Sequence, residues 1–191
     1  MKSNFTKCLN FVLQDEGGNT DNPADSGGRT SRGITQYEYN AWCSLQKSPG
    51  GDVFLATDAT IAAIYQQQYW LPNCDPLPVG TDYLLFDMNV NMGPRQATIL
   101  LQRGLGVIAD GHFGVITMAA AMKANPQVLV PAVSNLKIAF YKELEREQPK
   151  DIVFDRGWMN RVANVQTRDL AMLAQATRHE SVFTRLMGMV S

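Results

Sequence analysis

The sequence predicts a mainly α-helical protein with a small β-hairpin or irregular loop after its first helix. Three observations carry that prediction. Apolar residues recur at helical spacing through most segments, turn residues crowd into one early stretch, and a helix-start signal follows that stretch directly.

In "SNFTKCLNFVLQDEGG" the apolar positions are Phe5, Cys8, Leu9, Val12 and Leu13, one face of a helix. Ser3 or Asn4 can cap its start, and Gly17 and Gly18 can end it. Residues 17–33 hold Gly17, Gly18, Pro23, Gly27, Gly28 and Gly33 among Asn and Asp, which suits a tight loop or small hairpin. Thr35 with Glu38 three residues later is a capping box opening a second helix. "SPGGD" is a turn, and "ATDATIAAIYQQQYW" is a helix carrying Ile61, Ile64, Tyr65 and Gln68 on one side. "LPNCDPLPVG" reads as extended and proline-rich, and "DYLLFDMNVNMG" as an apolar helix with Asp87 and Asn91 on one face. A short helix follows Gly93-Pro94, then the turn "ADGHFG" and the helix "VITMAAAMK". A long helix is expected after Pro131, and another over "GWMNRVANVQTRDLAML".

The 191 residues suit one domain, or one domain with a closely packed second lobe. With 45% hydrophobic and 18% charged residues the chain can bury a sizeable core. Its 17 basic and 18 acidic residues give no basic excess, so nucleic acid is not an expected partner. Three widely spaced cysteines argue against a disulfide framework, and two histidines against a histidine-built zinc site. No signal peptide is recognisable, and no run approaches the ~20 apolar residues of a membrane span. The expectation is synthesis in the cytoplasm, with external help for any outward route.

Glu16 extends the stripe of Phe5, Leu9 and Val12, whereas Asp15 turns away from it. A carboxyl beside apolar side chains is partly desolvated, which favours its protonated form and suits it to donate a proton to a leaving-group oxygen. The plainer alternative is a helix-terminal Glu reaching into water. Asp25 lies nine residues on, in a segment able to fold back over the helix end, and can orient a water or steady positive charge at a sugar carbon. Thr30 can position that water through its hydroxyl. Equally, Asp21 and Asp25 can simply cap turns. Tyr37, Tyr65, Tyr69 and Trp70 offer rings for sugar faces, though Tyr65 and Trp70 read as core. Asp87 and Asn91 are costly to bury unpaired, so they either pair within the core or face a cleft.

"EGGNTDNPADSGGRTSRGIT", followed in order by "IYQQQYW", "DPLP", "LLFDMNVNMGPRQA", "LQRGLGVIADGHFGVIT" and "GWMNRV", resembles glycoside hydrolase family 108 over about residues 10–165. These are bacterial and bacteriophage N-acetylmuramidases with a C-terminal predicted peptidoglycan-binding region. The family marker is E-G-G-Y, and its essential catalytic glutamate corresponds to Glu16; Asn19 stands where the family has the aromatic. The Glu-Asp-Thr order also resembles phage-type lysozymes, although the step from Asp25 to Thr30 is one residue shorter. "LQRGLGVIADGHFGVIT" is similar to the L-Q-x-x-L-G … D-G-x-F-G-x-x-T pattern of peptidoglycan-binding modules.

The resemblance implies a lysozyme-like helical fold. Residues 1–95 would form the catalytic lobe, and residues 96–191 a helical lobe packed against it. It implies cleavage of the β-1,4 bond between N-acetylmuramic acid and N-acetylglucosamine, with Glu16, Asp25 and Thr30 catalytic; Tyr37, Asp87 and Asn91 are the candidates for substrate contact from the residue reading above. No cofactor or metal is called for, the partner is the glycan strand of peptidoglycan, and the chain is expected to act as a monomer. The setting implied is a phage or prophage endolysin reaching the wall through a holin or another export route. A lytic transglycosylase and a non-catalytic wall-binding module are the alternatives. The terminal "RHESVFTRLMGMVS" puts Val182, Phe183, Leu186, Met187 and Val190 on one face, for packing or for weak contact with an anionic membrane.

Overall fold

The computed structural model describes residues 4–21, 28–148 and 154–187, with side chains described through residue 178. The chain divides into two compact units, Met1–Pro72 and Asn73–Ser191. The architecture is mainly α-helical, with one small antiparallel sheet following the first helix.

The first unit begins with α1, Phe5–Glu16, whose buried residues are Phe5, Cys8, Leu9 and Val12. This is the stripe read from the sequence except for Leu13, which is only half-buried, and Gly17 ends the helix at φ +77°. The strands β1 (Asn19–Asp21), β2 (Arg29–Ser31) and β3 (Ile34–Thr35) form a sheet in that order. The pairing sets Thr20 against Thr30 and Thr30 against Thr35. Thr35 then starts α2, Gln36–Leu45, through a complete capping box with Glu38. A short 3₁₀ turn, Val53–Leu55, precedes α3, Asp58–Tyr65. From there the helix widens into a π turn over Gln66–Trp70, in which the Leu71 N–H reaches the Gln66 carbonyl at 2.8 Å. Tyr65 and Trp70 are fully buried, and Phe5 meets Trp70 with ring centroids 5.6 Å apart. Both belong to the core, as their helical positions imply.

The second unit holds α4 (Thr81–Met92), α5 (Pro94–Leu105), α6 (Val115–Lys123), α7 (Pro126–Glu147) and α8 (Asp155–Met187). Every residue of α4 from Thr81 to Asn89 is buried, so this helix has no wet face and no stripe. Two expectations are corrected. Residues 71–80 form consecutive turns rather than an extended segment, closed in part by Leu77 N–H on the Cys74 carbonyl at 2.9 Å. Helix α7 starts at Pro126 rather than after Pro131. Asn125 caps it by accepting the Gln127 N–H at 3.0 Å, and Pro126 sits where its missing N–H costs nothing. Pro131 removes one backbone donor without ending the helix. The terminal stretch continues α8 without a break, and its apolar face from residue 179 on lies outside the described side chains.

The interior of this unit carries charge. Asp87 is 0% exposed and accepts from Lys137 Nζ at 2.6 Å and Arg161 Nε at 2.8 Å, tying α4 to α7 and α8. Asp169 in α8 is the contrasting case, also 0% exposed, with neither carboxyl oxygen hydrogen-bonded among the described residues. Burial first, then the negative charges of Asp82 and Asp87, raise its carboxyl well above the ordinary value, opposed only by Lys137.

With a raised folded-state pKa, the native chain keeps a proton that the unfolded chain releases above about pH 4. Stability is therefore lost as pH rises through the folded value, at up to about 1.4 kcal/mol per pH unit. Asp169→Asn is expected to remove that slope and to raise Tm at neutral and alkaline pH. Thermal denaturation of both proteins from acid to alkaline pH checks this, and parallel curves would refute it.

Candidate functional site

The site is assembled in the first unit, where the end of α1 meets the turn between β2 and β3. Arg32 and Gly33 join those strands as a two-residue connection with φ of +50° and +81°. Positive φ at both positions is the requirement of the hairpin turn that matches strand twist. Gly33 is also needed for space. A Cβ there would lie 2.9 Å from Glu16 Oε2 and 3.2 Å from Glu16 Cγ, and would overlap the Tyr65 hydroxyl. The Glu16 side chain is thus laid against the bare backbone of this turn. Tyr65 fixes the turn beside Glu16, donating its hydroxyl proton to the Arg32 carbonyl at 2.8 Å.

One turn further along, in the π turn, Tyr69 sets its ring 5.7 Å from that of Tyr65. Its hydroxyl donates to Glu38 Oε1 at 3.1 Å. The other Glu38 oxygen accepts the Thr35 N–H at 2.9 Å and the Thr35 hydroxyl at 2.8 Å. One carboxylate therefore caps α2 and holds Tyr69. Burial, then the Glu38 carboxylate, then Glu16 raise the Tyr69 phenol well above its ordinary value. The phenol stays a neutral donor, bonded to Glu38 and within the field of Glu16. Helix widening of this kind recurs at functional sites because it re-aims side chains within a rigid element.

The remaining site candidates are placed as follows. Thr30 lies mid-strand in β2, half-buried, with its hydroxyl donating to the Gly28 carbonyl at 3.3 Å. Asp25 lies outside the described residues. Tyr37 is 82% exposed on the first turn of α2. Beside them, Arg29 bridges Asp21 at 3.2 Å and Asp52 at 2.8 Å with its guanidinium over the Phe54 ring, tying the loop end of the β1–β2 hairpin to the residues around Asp52. Asp87 and Asn91 are in the second unit. Asp87 takes the paired-core arrangement already described, and that burial replaces the sugar contact expected for it. Asn91 Oδ1 accepts the Tyr141 hydroxyl.

Gly33 and Tyr65 lie against Glu16, and Tyr69, held by Glu38, feels its charge; local pattern reading does not bring these residues to it. Two signals pointed their way: Tyr65 and Tyr69 are four apart, and the second oxygen of a capping-box Glu is free to serve a partner.

Gly33→Ala is expected to cost at least about 2 kcal/mol, from a left-handed backbone on a residue with a Cβ and from displacement of Glu16 and Tyr65. Activity should fall by about 10²-fold, since an ångström of misplacement has that effect. Gly33→Asn separates the two causes, because Asn tolerates the backbone but still needs the space. Urea denaturation and turnover of both variants are the measurements, and an Ala variant of native stability and rate would contradict this geometry.

The described residues contain no group of three or more His, Cys, Asp or Glu arranged to hold a metal, and no helix long and apolar enough to cross a membrane. The family model described as Glycosyl hydrolase 108 matches residues 9–93, and the model described as Predicted Peptidoglycan domain matches residues 96–163. The solved structure of SagA from Brucella abortus is 33% identical to the chain with a TM-score of 0.74, covering 88% of this chain and 94% of that one. Among curated proteins, none matches the chain.

Proposed function

The chain belongs to the glycosyl hydrolase 108 family, and from that premise we propose that it is an N-acetylmuramidase. Family and peptidoglycan model together make it a glycoside hydrolase directed at peptidoglycan. The bond it cleaves, on this reading, is the β-1,4 link between N-acetylmuramic acid and N-acetylglucosamine. Glu16 is the general acid that protonates the departing glycosidic oxygen. The observation that carries the assignment is the seat of Glu16, at the end of a buried stripe and pressed on a glycine whose lack of a Cβ makes room for it.

Bond cleavage leaves positive charge on the sugar ring, which a second carboxylate or an oriented water must meet. Asp25, with Thr30 orienting the water, is the group proposed for that step. Tyr37, exposed on the same unit, is proposed to contact sugar. Tyr69 and Glu38 are positioning residues, since they hold a neutral phenol beside Glu16 and bring no charge change of their own. Protonation and electrostatic steadying are sufficient for this chemistry. The setting proposed is a phage or prophage endolysin, released to the wall by a holin or another export route.

Release of reducing ends from purified peptidoglycan tests the reading. The protein should release them without added metal, and Asp25→Ala should lower the rate sharply while Thr30→Ala lowers it less. Full activity in Asp25→Ala would remove Asp25 from the mechanism.

A further inference from the structure

The loop between α5 and α6 is built around one buried side chain. Gln102 is 2% exposed, and its amide nitrogen donates to Asp110 Oδ1 at 2.8 Å and to the Thr117 hydroxyl at 3.0 Å. Its carbonyl oxygen accepts the Gly111 N–H at 2.9 Å, while Asp110 Oδ1 also accepts the His112 N–H at 2.8 Å. The residues of the L-Q … D-G-x-F-G-x-x-T pattern thus hold one another and form a frame. What they frame is a cavity of about 480 Å³. Around it stand residues at the unspecified positions of the pattern: Ile108, Val115 and Ile116, which are 85%, 86% and 73% exposed. Three large aliphatic side chains held this far into water beside a preformed cavity mark a contact surface.

The lining states what kind of ligand fits. Apart from the small imidazole of His112 it contains no ring, so no Phe, Tyr or Trp on which a pyranose face could stack, and no lysine or arginine to meet an anion. Its aliphatic rim suits methyl and methylene groups. Hydrogen bonds from the His112 N–H and Gln102 hold the Asp110 carboxyl below its ordinary value, so an exposed negative charge stands at the edge. The complement is a short chain bearing methyl groups and an ammonium.

We infer that this cavity binds the peptide stem of peptidoglycan, with its alanyl methyls on Ile108, Val115 and Ile116 and the free side-chain amine of its diamino acid on Asp110. The inference rests on the reading that this unit faces peptidoglycan. It makes the second unit a reader of stems that have not served as cross-link acceptors, since accepting a cross-link consumes that amine.

Calorimetric titration of the full chain with L-alanyl-γ-D-glutamyl-L-lysyl-D-alanine, and with the same peptide acetylated on the lysine amine, is the test. The free-amine peptide should bind at least about tenfold tighter, the strength of one charge-assisted contact. Asp110→Asn keeps an acceptor oxygen for Gln102 and His112, so the loop should hold while the preference for the free amine disappears. Val115→Ser, at a site 86% exposed, should weaken both peptides without unfolding the chain. Absence of stem binding, equal affinity for the acetylated peptide, or displacement of the stem by peptide-free glycan strands would overturn the inference. Failure here is distinguishable from failure of the muramidase reading. Reducing-end release from peptide-free glycan does not involve the cavity, and stem binding should persist in Glu16→Gln.

Discussion

Glu16→Gln lowers kcat/KM on peptidoglycan by about 10²–10⁴, the contribution of a general acid, which is roughly 3–5 kcal/mol of transition-state stabilisation. The amide is nearly the size of the carboxyl, so it can still lie against Gly33 beside Tyr65, the neighbours that fix the side chain. It cannot supply the proton. The loss should therefore fall on kcat, with KM nearly unchanged, because ground-state contacts are retained. Tm should stay within about 1–2 °C of the parent, as expected for a change that alters no packing. A variant with wild-type kcat would remove Glu16 from the chemistry. A variant that fails to fold would mean that the carboxyl is structural, and Tm measured beside turnover tells these apart.

Asp87→Ala should destabilise the second unit by about 3–5 kcal/mol, the cost of leaving buried cations without their partner. Lys137 is 1% exposed and has Asp87 Oδ2 at 2.6 Å, while Arg161 Nε sits 2.8 Å from Oδ1. Burial alone would push the Asp87 carboxyl up, but Lys137 and Arg161 outweigh it and hold the carboxyl below its ordinary value. With a depressed folded-state pKa, the stabilisation is present above the unfolded value of about 4 and is lost as pH falls through the folded value. The variant should consequently lose most stability at neutral pH and converge on the parent in acid. Trp158 stacks on Tyr141 at 4.7 Å in the same unit, so its near-ultraviolet signal reports this loss. Asp87→Asn, which keeps shape and acceptor but not charge, should lie between the two. Equal stability of Asp87→Ala and the parent at pH 7 would contradict the buried triad.

What could be read from the sequence was whatever its own neighbourhood dictates. The α1 stripe, the stop at Gly17 and the Thr35–Glu38 capping box need only residues within one or two turns, and each is where the pattern puts it. Helix α4 is covered all round, so its start and end were legible but no face could be chosen. Pro131 misled because an interior proline costs about 3 kcal/mol and reads as a helix start, whereas here the helix absorbs it and Asn125 and Pro126 make the start a turn earlier. The π turn at Gln66–Trp70 has no periodic signature at all.

The candidate site divides in the same way. Glu16 stood out by continuing an apolar face. Its companions come from the β2–β3 turn, the cap of α2 and the end of α3, brought together only by folding. Asp87 meets partners 50 and 74 residues away, which no local pattern records. The pattern around Gln102 was visible as a motif, but its physical use as a hydrogen-bonded frame required the distances.

Mass spectrometry of the fragments released from purified peptidoglycan identifies the bond cleaved and the part of Glu16 in cleaving it. The wild-type protein should give disaccharide–peptide products ending in reducing N-acetylmuramic acid, and Glu16→Gln none above background. Products ending in 1,6-anhydro-N-acetylmuramic acid, reducing N-acetylglucosamine ends, peptides freed from intact glycan, or equal release by Glu16→Gln would contradict that assignment.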